Sequence, residues 1–115
     1  MTRKNSLLIF KSIFNLNQWV EENLPIDNSL IAYDLILLLS IYSLSNNKIN
    51  VKILFSSLPH SPTGIRHHYQ RLINDGWIEH YLDTKDKRIK YVRPTTKFIE
   101  TINFYSCQTQ KILTC

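Results

Sequence analysis

Apolar positions along this chain repeat first at helical and then at strand spacing, and the change of period marks out its elements. Leu7, Phe10, Ile13, Phe14 and Val20 share one face of a helix over residues 6–23, with Lys11, Asn15, Gln18 and Glu22 on its other sides. That face is wide for a helix packed only within a small domain. Leu24-Pro25 ends it, because the residue before a proline avoids helical backbone. Asn28 or Ser29 can cap a second helix to about Leu44, apolar almost all round and therefore central. Ser45-Asn46-Asn47-Lys48 is a loop. Asn50 caps a short helix with Val51, Leu54, Phe55 and Leu58 at positions i, i+3, i+4 and i+7.

Pro59 stops that helix, and Ser61-Pro62 starts another, with serine as cap and proline in the first turn. The new helix runs to Asp75, where Gly76 supplies a left-handed stop. Ile65, Tyr69, Leu72 and Ile73 form its inward stripe, with His68 at the margin; Thr63, Gly64, Arg66, His67, Gln70 and Arg71 lie outside. Trp77–Leu82 and Arg88–Arg93 alternate as an antiparallel pair through Asp83-Thr84-Lys85-Asp86-Lys87. A last helix from about Thr95 sets Phe98, Ile102, Tyr105 and Ile112 close to heptad spacing, a seam suited to a partner helix.

The expected fold class is mainly α with a small antiparallel β-ribbon, a winged helix-turn-helix with N- and C-terminal dimerisation helices. It is one domain over 1–115: a dimerisation helix in 1–27, a DNA-binding core in 28–94 and a second dimerisation helix in 95–115.

Charge sharpens this picture. The net charge is +5 and the pI about 9.3, but the excess is local. Residues 60–93 carry seven Lys/Arg against four Asp/Glu, whereas residues 1–59 carry five against four. An anionic partner meeting the second half of the chain requires that distribution. Arginine pairs bidentately with guanine and glutamine with adenine, so Arg66, His67, Gln70 and Arg71 are candidate major-groove readers. Ser61, Thr63 and Gly64, at the helix start, can hold a phosphate, and glycine there hints at close approach. Lys85, Lys87 and Arg88 can grip the flanking backbone or minor groove, with Asp86 holding Arg88 in position.

Little else carries chemistry. His60, His67, His68 and His80 are not spaced as metal ligands, so no metal is expected. No nucleophile with a partnered base, phosphate loop or carboxylate pair occurs, and neither an enzyme nor a cofactor is expected. Cys107 and Cys115 are the two cysteines, read as small residues on a terminal helix in preference to a redox switch between subunits. The most apolar stretch, Leu30–Leu44, is too short and too polar to cross a bilayer, and a soluble, cytoplasmic protein is expected.

The motifs Ser61-Pro62-Thr63, Leu72-Ile73-Asn74-Asp75-Gly76-Trp77-Ile78 and Asp83-Thr84-Lys85-Asp86-Lys87-Arg88, followed by Ile89, Tyr91, Val92 and Thr95, carry a resemblance. The segment Ser61 to Thr95 resembles the DNA-binding core of the MarR family of bacterial transcription regulators. The resemblance implies a homodimer on a pseudo-palindromic double-stranded operator. This chain departs from the pattern at Pro94, at Phe98 where glycine is common, and at His68 where an apolar residue is usual. About twenty residues follow the wing, fewer than the family's two C-terminal helices, which puts its small-molecule pocket in question. The function expected is a homodimeric, sequence-specific DNA-binding transcription regulator, a repressor. The alternatives are a winged-helix protein-interaction adaptor and a plasmid or phage replication accessory factor.

Overall fold

In a computed structural model, residues 2–114 are described. Five helices and three strands follow one another there: α1 (Arg3–Asn23), α2 (Leu30–Leu44), β1 (Ile49–Asn50), α3 (Val51–Ser56), α4 (Pro62–Asn74), β2 (Ile78–Leu82), β3 (Lys90–Pro94) and α5 (Thr96–Leu113). Each helix starts on a side-chain oxygen that takes up an orphan N–H. Thr2, Ser29, Asn50, Ser61 and Thr95 accept from Asn5, Ala32, Lys52 and Ile53, Gly64 and Phe98 respectively. Asp75 is the C-cap of α4, and Gly76 follows at φ 77°, the left-handed stop its sequence announced.

The ribbon has a third strand. β3 is central, pairing antiparallel with β2 on one side and with the two residues of β1 on the other. Asn50 thereby does two things at once: it sits opposite Tyr91 in the sheet and caps α3. Both strands start later than their alternation suggested, β2 ends at Leu82 as expected, and β3 runs on to Pro94, its last residue, opposite Ile78. Having no N–H, it closes the ladder, and Thr95 resumes by donating its N–H to the Trp77 carbonyl at 3.0 Å.

One core joins these parts. Ala32, Leu35, Ile36 and Leu39 of α2 lie at its centre with Leu54, Ile65, Leu72, Ile78, Val92 and Phe98 around them. Phe98 and Ile102 of the α5 seam belong to this core and Tyr105 packs against it, whereas Ile112 lies beyond it. Phe98 is 1% exposed and Ile102 8%, while Tyr105 stacks on Trp19 of α1 and shares a hydrogen bond with Tyr33. The heptad pattern thus reflects burial within the chain, which sequence spacing alone does not separate from burial against a partner helix. Ile99, Leu113 and Phe104, the last with its ring stacked on Trp19, are the exposed large apolar residues of α5.

α1 differs from the other helices. Only Val20 is buried along its length, and Leu7, Leu8, Phe10, Ile13 and Phe14 stand exposed, Phe10 at 70%. No helix among the described residues is long and apolar enough to cross a membrane.

Candidate nucleic-acid interface

α3 and α4 are joined by a turn that the fold pins at two points. Leu58 is buried within it, and His60 Nε2 lies 2.7 Å from Asp34 Oδ2 of α2. His60, which the sequence offered no role, thus anchors the turn to the central helix. α4 leaves the turn with Ile65, Tyr69 and Leu72 buried, so Arg66, His67, Gln70 and Arg71 are all exposed, as are Ser61 and Thr63. Thr63, His67 and Gln70 point furthest from the core. Arg66 and Arg71 flank them, about 140° apart around the axis at 3.6 residues per turn. Gln70 is further tied by donating Nε2–H to Asn74 Oδ1 at 3.0 Å.

The wing stands beside this helix, and its tip is internally braced. Asp83 Oδ2 accepts the N–H groups of Lys85 and Asp86 at 3.0 and 2.8 Å. Asp86 accepts the backbone N–H of Arg88 and, through both carboxylate oxygens, two N–H groups of its guanidinium at 3.0 and 3.1 Å. The Arg88 fork holds the Asp86 carboxyl below its ordinary pKa, and the carboxylate in turn raises that of Arg88. The Arg88 side chain is nevertheless 91% exposed. Lys85 and Lys87 project from the same loop, also exposed. On the strands below, Arg93 pairs with Glu79 at 2.7 Å and lies over Tyr81, whose ring meets Tyr91 across the ribbon.

Between helix and wing runs an open cleft of about 740 Å³. Arg66, Tyr69 and Gln70 of α4, Lys52 and Phe55 of α3, and His80, Arg88 and Lys90 of the wing line it. Lys52 and Lys90 were not among the site residues the sequence nominated. Lys52 gives no motif signal, because its relation to Arg66 exists only once α3 folds against α4. Asp86, the acid in this lining, is engaged with Arg88, so the cleft is cationic.

Solved structures resemble the whole chain. A MarR-like transcription regulator from Bacillus cereus superposes with a TM-score of 0.61 at 22% identity, covering 96% of this chain and 73% of its own. The S. aureus MepR–DNA complex gives 0.69 at 16%, covering 96% and 82%. The heme sensor PefR from Streptococcus agalactiae, in complex with heme, gives 0.62 at 17%, covering 96% and 74%. The fold is that of the MarR-like regulators. No protein-family model matches the chain, and no curated protein matches it by sequence.

Within this MarR-like frame, two nominated residues have reasons of their own. A Cβ on Gly64 would lie 2.8 Å from Ile31 Cδ1 and 3.0 Å from Ser61 Oγ, so its close approach is to α2 and its own cap. The helix N-terminus also has fewer donors to offer than its sequence suggested. Pro62 lacks an N–H, Gly64 gives its own to Ser61 Oγ, and Ile65 donates to the Ser61 carbonyl, leaving Thr63 among the described residues. His68 is half-buried with Nε2 3.0 Å from Ser29 Oγ, and burial lowers its pKa. A neutral imidazole can accept the hydroxyl proton of Ser29 while the same oxygen caps Ala32. Among the described residues, no cluster of His, Cys, Asp or Glu is placed to hold a metal. Cys107 is exposed, and Cys115 lies outside the described residues, as does any pairing between them.

Proposed function

We propose that this protein is a sequence-specific, double-stranded DNA-binding transcription regulator that acts as a homodimer. One observation carries the reading: Arg66 and Gln70 of α4 share a single cationic cleft with Arg88 of the wing and with Lys52 and Lys90, while His67, Lys85 and Lys87 stand exposed on the same two elements. α4 enters the major groove, about 12 Å wide, where Arg66 and Gln70 meet base edges and Thr63 meets a phosphate. The sugar-phosphate backbone then lies along the cleft, against Lys52 and Lys90, and Arg88 reaches the adjacent minor groove. MepR, of the same fold, has been solved in complex with DNA, which supports the DNA-binding reading.

The homodimer rests on α1, whose exposed Leu7, Phe10 and Phe14 form an apolar strip suited to the same strip on a second copy. Two copies bring two recognition helices to a two-fold symmetric site. Such a complex blocks a promoter by occupation alone, so the regulatory sense proposed is repression. The reading calls for no catalytic step, and cytoplasmic DNA is its target.

Selection of duplexes from a random pool, followed by titration at several salt concentrations, tests the reading. The expected result is an inverted-repeat consensus and affinity falling steeply with salt. Arg66→Ala should lose about 1–3 kcal/mol on the selected site and relax one base position, whereas Lys87→Ala should weaken all duplexes alike. Absence of any salt-dependent duplex binding would overturn the proposal.

A further inference from the structure

Arg71 is held from outside the DNA-facing surface. Its Nη1 donates to Asp27 Oδ2 at 2.8 Å, across 44 positions of sequence, from a loop between α1 and α2. That loop is firmly set. Leu24 and Ile26 are buried, the Ser29 N–H donates to the Ile26 carbonyl at 2.8 Å, and Ser29 bonds His68, three residues before Arg71 on α4. Asp27 itself has φ 49° and Asn28 φ 56°, a left-handed pair that aspartate and asparagine tolerate better than other side chains. The Arg71 guanidinium holds the Asp27 carboxyl below its ordinary pKa, so the acid is ionised wherever the protein is folded near neutral pH.

We propose that Asp27 is a positioning residue for base recognition, aiming the free edge of Arg71 at a guanine in the major groove. The inference rests on the DNA-binding reading above. A guanidinium presents two forked edges, and Asp27 occupies the Nη1 side alone, leaving Nε and Nη2 to meet O6 and N7 together. A phosphate contact would work chiefly through charge, which the neighbouring carboxylate offsets. A base contact works through the direction of the fork, which the carboxylate fixes. The pairing therefore favours guanine over phosphate as the target of Arg71. Removing the acid should accordingly act in opposite directions on specific and non-specific binding.

The test uses the full chain, the duplex selected above and a random duplex of equal length. Asp27→Asn keeps the shape and suits the left-handed backbone, so the variant should melt as the native protein does. It should bind the selected site about tenfold more weakly and tolerate substitution of one G·C pair in each half-site, while binding random duplex as well as before or better. Asp27→Glu should restore part of the lost specificity, and Asp27→Asn added to Arg71→Ala should cost nothing more. Native discrimination by Asp27→Asn, or equal losses on both duplexes, overturns the positioning role and leaves the DNA reading standing. Wild-type protein that binds neither duplex overturns both.

Discussion

Tyr69 carries a buried hydroxyl without a hydrogen-bond partner among the described residues, edge-on to Phe55 beneath the cleft. Burial pushes its pKa up to about 12. Since the hydroxyl is desolvated without compensation, Tyr69→Phe should raise stability by about 1 kcal/mol in urea unfolding. The pH sign follows from the raised value: an acid held neutral in the fold contributes fully below its ordinary pKa of 10 and loses that contribution as pH climbs toward 12. Phe at this position should lack that alkaline loss, and a variant that keeps it would show that Tyr69 is not its source. At this scale the sequence was most legible where a side chain acts on its own neighbours. Ser61 and Asn50 could be recognised as caps because each bonds an N–H two or three positions away. Asp27 with Arg71 and His60 with Asp34 could not, since tertiary folding alone brings them together.

Among elements, the wing was read correctly as a basic hairpin but one strand short. Two residues, Ile49 and Asn50, offer no alternation to detect, and their pairing with β3 depends on where α2 and α3 lie. The wing's own stability comes from its base. Ile78 and Val92 enter the core, whereas Glu79 and Arg93 pair in the open with side chains more than half exposed. Ile78→Ala should cost about 2–5 kcal/mol in chemical denaturation, and Glu79→Ala less than about 1 kcal/mol. Comparable losses for the two would mean that the exposed pair contributes as much as the buried anchor. The seam on α5 shows a related limit: periodicity reports that a face is covered, while the covering surface, here α1 and α2, is known only from the packing.

The whole molecule measures 58 × 27 × 23 Å, with a radius of gyration of 16.3 Å. A compact chain of this length would have about 13 Å. The excess reflects extension along one axis, and the exposed apolar strip of α1 is the surface such a shape leaves uncovered. Phe10→Glu should therefore leave the protomer folded, because its side chain meets solvent, and should halve the mass found by sedimentation. Ile102→Glu should instead unfold the protomer, since that residue is core. A Phe10→Glu protein of unchanged mass would remove α1 from the proposed dimer. Fold class was legible because elements of fixed order and period permit few packings, and the wide apolar face of α1 was legible too, which the fold leaves exposed.

Asn50, as both sheet partner and helix cap, makes the link before α3 a gauge of fixed length. One extra residue ahead of it would swing Ile49 from the interior to water. One extra residue behind it would instead strip α3 of its cap. The loop around Lys85 and Lys87 meets no such limit, since growth there lengthens only the tip. The wing tip can thus vary in reach while the spacing between α3 and the sheet stays constant.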